Sequence, residues 1–163
     1  MITTVEGCTL AGLYATDEVP ATKIKIQPGA GLGYATLLRV VVPVEPGDVL
    51  DISGRARVTN DTSPSYTVGV GYHLWQYDVD NGLGASGVWT RISSFCGDNV
   101  DHTRHHMPLL TDTVYTVPAD WPEGHRITIV LRGDAMSTAA DGQYLTVDPE
   151  YGQLTVRRYQ PAI

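Results

Sequence analysis

The chain has very little lysine, phenylalanine or cysteine: two Lys, one Phe and two Cys in 163 residues. Cys8 and Cys96 are too few and too far apart for a disulfide framework or a zinc motif. They read as small, buried, reduced apolar side chains. No apolar run approaches the roughly 20 residues that span a bilayer. Basic runs are missing too, and with net charge −7 and pI near 5.0 this excludes a duplex-binding or membrane-surface role. Met1-Ile2-Thr3-Thr4-Val5-Glu6 has no basic segment leading into an apolar core, so no secretory leader is expected and synthesis is placed in a cytoplasm. Finally, no stretch of ten residues keeps a 3.6-residue apolar period, which leaves little room for helix.

What the chain does have is alternation. With 42% hydrophobic and 18% charged residues it is ordinary globular protein, and its length suits one domain over residues 1–163. Thirteen Asp stand against five Glu, and nine Arg against the two Lys, a bias toward turn formers over helix formers. In 48–58, Leu50, Ile52, Gly54, Ala56 and Val58 fall on one face, with Asp51, Ser53, Arg55 and Arg57 on the other. In 66–76, Tyr66, Val68, Val70, Tyr72 and Leu74 face inward, and Gly69, Gly71, His73 and Trp75 outward. Ile127, Ile129 and Leu131 repeat the pattern, as do Leu154 and Val156. Shorter strands are predicted over Lys23–Gln27, Ala35–Val42, Val88–Ile92, Thr113–Val117 and Gln143–Val147. Residues 1–20 read as a docking arm or as the first strand. Turn formers separate the runs: Glu45-Pro46-Gly47-Asp48, Asp80-Asn81-Gly82 and Trp121-Pro122-Glu123-Gly124 among them. The one helical candidate is a single turn over Asp134–Ala140 with Asp134 as cap. The expected fold is all-β: an antiparallel β-sandwich, with jelly-roll as the leading topology.

Motifs that carry chemistry are weak. His102 and His106 would share a strand face about 13 Å apart at roughly 3.3 Å per residue, too far for one ion, and His105 points the other way. A metal site would need His73, His125 or another subunit, so no metal is expected. Asp78-Val79-Asp80-Asn81-Gly82 fails as a calcium loop, having Gly82 at the fifth position and Trp89 at the twelfth. The glycine-rich 28–33 segment has neither a following helix nor a P-loop lysine. Arg132-Gly133-Asp134 is too short a match to count and falls where a strand meets a turn. No nucleophile elbow, Cys-His pair or zinc-protease motif occurs. Asp98, Asp101 and His102 are the only conceivable acid–base group, so the chain is read as a non-enzyme without cofactor.

Trp75, Tyr77 and Trp89 flank one predicted hairpin, and Trp75 lies away from the inward set. They suit either a protein interface, favoured because interfaces enrich Trp, Tyr and Arg, or a sugar-stacking platform. The acidic all-β chain, with its closing runs Val117-Pro118-Ala119-Asp120-Trp121-Pro122, Ile127–Arg132 and Gly152–Tyr159, resembles the small jelly-roll structural proteins of tailed-bacteriophage particles. The likeness covers mainly residues 48–159. It implies a capsid decoration (cement) protein, often a trimer, whose partner is the major capsid protein or another virion protein, and whose location is the virion. A minor tail or host-surface-binding protein and a carbohydrate-binding module are the alternatives. Residues 1–60 carry net charge −1 and 61–163 carry −6. Docking is therefore expected through Lys23, Lys25 and Arg39 together with the aromatics.

Overall fold

The computed structural model describes residues 4–5, 7–15, 24–26, 34–59, 68–78, 90–92, 96–100, 106–135 and 145–161. Among these residues, eleven strands make two sheets. They are β1 (Thr4–Val5), β2 (Cys8–Ala15), β3 (Ile24–Ile26), β4 (Tyr34–Pro43), β5 (Val49–Thr59), β6 (Val68–Asp78), β7 (Thr90–Arg91), β8 (Cys96–Val100), β9 (Met107–Thr116), β10 (Arg126–Ala135) and β11 (Leu145–Pro161). The six-stranded sheet runs β1-β2-β11-β5-β9, with β3 also on β11. The five-stranded sheet runs β4-β10-β6-β7, with β8 also on β6. Every pairing is antiparallel, and no described residue is helical.

The order of pairing is nested. β6 pairs β8, β5 pairs β9, β4 pairs β10 and β2 pairs β11, like one long hairpin folded over on itself. Wrapping that hairpin brings β11 beside β5 and β10 beside β6, which closes the two sheets into a jelly roll.

The period-two residues form the core. Leu50, Ile52, Ala56 and Val58 on β5 pack with Leu154 and Val156 on β11 from one side. Leu38, Val40 and Val42 on β4, Ile127, Ile129 and Leu131 on β10, and Leu74 on β6 come from the other. Gly54 takes an inward position where a Cβ would lie 3.0 Å from Leu131 Cδ1 and 3.4 Å from Leu74 Cδ2. The missing side chain is what lets the opposite sheet approach there.

One end of the core is closed by charge. Glu45-Pro46-Gly47-Asp48 forms a type II turn: the Asp48 N–H donates to the Glu45 carbonyl at 3.1 Å, and Gly47 supplies φ of 85°. The Asp48 carboxylate, 1% exposed as a residue, accepts the Glu45 N–H at 2.7 Å and Arg158 Nε at 2.5 Å. Arg158 follows Leu154 and Val156 in the inward register of β11, so its guanidinium enters the sandwich end directly. Val117 adds a second clasp, donating to the Asp48 carbonyl at 2.8 Å and accepting from Gly47 at 3.0 Å.

Five expectations are corrected. Asp134 caps no helix: it lies in β10, paired with Tyr34 and Gly71, and residues 136–140 lie outside those described. Arg132-Gly133-Asp134 therefore sits inside a strand. Leu145–Val147 of the Gln143–Val147 segment and all of Leu154–Arg157 belong to a single 17-residue strand, β11, interrupted by a bulge between Asp148 and Gln153, while Gln143 and Tyr144 lie outside the described residues. The Thr113–Val117 strand begins six residues earlier, at Met107, because β5 is long enough to pair with all of β9. Cys8, a free thiol, is half-buried instead of buried.

Two measurements check this account. Asp48→Ala strands the Arg158 guanidinium in a buried place and is expected to cost about 3–5 kcal/mol. Arg157→Ala breaks only the half-exposed 3.2 Å pair with Asp51 and is expected to cost below about 1 kcal/mol in the same denaturant titration. Burial also pushes the Tyr115 phenol above its ordinary 10.0. The folded state then holds its proton more tightly than the unfolded chain. That stability is present below about pH 10 and is lost as pH rises through the higher folded value. Tyr115→Phe should flatten the alkaline fall in unfolding free energy, and an unchanged slope would contradict the assignment.

Candidate functional site

The outer faces of the two sheets differ, and each carries a distinct group of side chains. On the five-stranded sheet, Trp75 on β6 pairs opposite Arg91 on β7 and opposite Val130 on β10. Val130 in turn pairs opposite Arg39 on β4. Directly paired residues point to the same face, so the row reads Arg91, Trp75, Val130, Arg39, with Trp75 and Arg39 about 10 Å apart. Arg132 joins it from two residues along β10, its guanidinium carbon 4.9 Å from the Trp75 ring centroid. Asp134 sits 3.4 Å from Arg132 Nε. Arg39 and Arg91 are exposed, and neither makes an ion pair with a described residue. Val41, on the next outward position of β4, is 40% exposed. Thr128 and Val130 point outward by register yet are 0% and 3% exposed, so the centre of this face is already roofed and its rim is open.

The outer face of the six-stranded sheet is built differently. Gln153, Arg55 and Leu110 form one row across β11, β5 and β9, and Thr155, Ser53 and Asp112 form the next. Together they line an open depression of about 190 Å³. A bulge in β11 lies beside it. Between Asp148, opposite Arg57, and Gln153, opposite Arg55, it carries extra residues, and Tyr151 from this stretch stacks on Arg57 at 3.3 Å. On the other side, Arg157 and Asp51 pair at 3.2 Å. Leu13, Leu110 and Val114 are 64%, 59% and 66% exposed on this face.

Of the residues singled out from sequence, the structure brings Arg39 and Trp75 together on one row. Tyr77 follows on β6, its backbone paired with Thr128, and Lys25 lies in β3 opposite Thr146; their side chains lie outside those described. Lys23, Trp89, Asp101, His102 and His105 lie outside the described residues. Asp98 is in β8 opposite Val70, and His73 is in β6 opposite Arg132. His125 sits in the turn before β10, its backbone N–H donating to the Pro122 carbonyl at 3.1 Å. His106 is held by a hydrogen bond between its Nδ1 and the buried Thr59 hydroxyl at 3.0 Å. No group of metal-binding side chains occurs among the described residues.

Sequence reasoning missed Arg91 and Arg132 beside Trp75, and it missed the Arg55, Asp112 and Gln153 grouping. Alternation assigns each residue to a face, but only the register says which strands lie side by side.

No protein-family model and no curated protein matches the chain. Among solved structures it is similar to the Stig cyclase Fisc from Fischerella sp. TAU, solved in complex with (3Z)-3-(1-methyl-2-pyrrolidinylidene)-3H-indole. The identity is 12% and the TM-score 0.38, over 99% of this chain and 93% of that one. That likeness is too slight to carry a function across.

The His106 geometry generates a prediction. His106→Ala should lower stability by about 0.5–1.5 kcal/mol through loss of the bond to Thr59, equally with and without a chelator. A loss that appears only after chelator treatment of the wild type would instead assign His106 to a metal.

Proposed function

We propose that this chain is a binding protein of a virion, attaching to the assembled shell of a tailed phage through the outer face of its five-stranded sheet. The observation that supports the reading is the row Arg91, Trp75, Val130 and Arg39, with Arg132 stacked on Trp75. It is an arginine-rich aromatic patch on a chain of net charge −7. Arginine and tryptophan are the side chains that interfaces enrich. A rim formed by Arg39 and Arg91, both exposed, suits an acidic partner and steers the approach to it. Binding only to the assembled shell would stabilise that shell by mass action, by about 2.7 kcal/mol per site at hundredfold saturation. The remaining negative charge keeps the unattached protein soluble. The resemblance to phage structural proteins extends the reading to a trimer.

The test is co-sedimentation of the purified protein with shells assembled from the capsid protein encoded in the same genome. Saturable binding is expected, weakened by salt and reduced about tenfold, or about 1.4 kcal/mol, by each of Arg39→Glu and Arg91→Glu. Both side chains are exposed, so folding should survive the changes. Light scattering on the same sample checks the trimer against the 17.6 kDa protomer. Binding to tails but not shells would favour the minor-tail alternative, and binding to neither would overturn the reading.

A further inference from the structure

The depression on the six-stranded sheet stands apart from the docking face just proposed, on the opposite side of the sandwich. Its six principal side chains form a grid of two rows and three strands, about 10 Å across the strands and about 7 Å along them. The hollow exists because Ser53 and Thr155 are short while Arg55, Gln153, Leu110 and Asp112 stand around them. Arg55 and Asp112 are diagonal neighbours on β5 and β9, a relation that spans about 7–8 Å. They make no ion pair with each other, whereas the adjacent Asp51 and Arg157 close to 3.2 Å and Arg57 is taken up by Tyr151. The charges beside the depression are therefore paired among themselves, and Arg55 and Asp112, of opposite sign, both line the gap.

The composition of the gap selects its occupant. Its formal charge is zero, which disfavours phosphate or a metal cation. Arg55 only donates and the Asp112 carboxylate only accepts, while Gln153, Ser53 and Thr155 do both. A group that matches all of them must donate and accept at once, and an alcohol does so. A zwitterion would engage the two charges and leave the amide and both hydroxyls unused. Leu110, 59% exposed, offers an apolar wall for a C–H face. The hollow opens to solvent, so its occupant can continue into a longer chain. We propose that the depression is a saccharide subsite that binds one neutral pyranose unit of a surface glycan, with Asp112 accepting from two adjacent hydroxyls and Arg55 and Gln153 donating to ring substituents.

This inference does not depend on shell binding, because the two faces use different strands and are altered by different substitutions. The test uses the full chain on a glycan array, followed by amide chemical-shift titration with the best array glycan and with the methyl pyranosides of glucose, galactose and mannose. Saturable shifts are expected at Ser53–Arg55, Leu110–Asp112 and Gln153–Thr155. Asp112→Asn and Arg55→Ala should each weaken binding about tenfold or more, since hydrogen bonds to charged groups are the stronger ones. Val114→Ala, two residues from Asp112 on the same face, should leave binding unchanged. The thermal midpoints of all three variants establish that they are folded. The proposal is overturned if none of these sugars shifts those amides, if saturable shifts fall instead around Trp75 and Arg39, or if binding survives both charge-removing substitutions. Saturation by glycine or glutamate in place of sugars would assign the gap to a zwitterion and overturn it equally.

Discussion

The buried pair of Asp48 and Arg158 is the point on which the architecture turns. Its carboxylate accepts from the turn that it terminates, and its own backbone binds Val117 at the far end of β9. Through Arg158 it reaches β11, the strand that joins β2, β3 and β5. Three segments remote in sequence, the 45–48 turn, Val117 and β11, therefore converge on one aspartate. Taking two charges out of water is unfavourable, and apolar residues could fill the same volume. What the pair contributes instead is position: an inward arginine at the end of β11 has one place to put its charge, and that place sets the strand's register against β5. A slip of one residue would turn Leu154 and Val156 outward and leave the aspartate unmatched.

From that register follow the two outer faces. Each row across a sheet is a line of residues brought together by hydrogen bonding between backbones, with no attraction between the side chains required. Arg39 and Arg91 repel, yet they share a row because β4 and β7 lie on either side of the β10 and β6 pair. Arg55 and Asp112 attract, yet they stay apart because they occupy a diagonal. In both cases the scaffold holds charges where solution chemistry alone would not.

Much of the fold was legible in the residues. The inward set Leu50, Ile52, Gly54, Ala56 and Val58 could be read directly, because a half-buried strand has to alternate. Glu45-Pro46-Gly47-Asp48 announced its turn for an equally local reason, with proline setting one dihedral and glycine permitting the next. Elements whose cause is remote were hidden. Met107–Thr116 has a proline at its second position and mixes polar with apolar residues, and it is a long strand because β5 offers ten residues to pair with. Asp134 resembles a helix cap until Tyr34 and Gly71 lie on either side of it. The site residues behaved likewise: Trp75 was conspicuous as an outward tryptophan, but nothing near it in sequence names Arg91 or Arg39 as its neighbours.

The nested pairing has a consequence for how the protein is made. β2 pairs with β11 as well as with β1, so a strand near the start of the chain must wait for the last one to leave the ribosome. Of the four nested pairs, β6 and β8 lie nearest in sequence, and every enclosing pair closes a longer loop. Loop-closure entropy is therefore met before most of the apolar surface is covered, which makes for slow folding. During synthesis the chain would hold Leu50, Ile52 and Val58 uncovered on one side until Leu154 and Val156 arrive. Sparse lysine and phenylalanine matter little in that interval. The acidic turns between strands matter more, since mutual repulsion between nascent copies keeps half-built sandwiches from joining edge to edge.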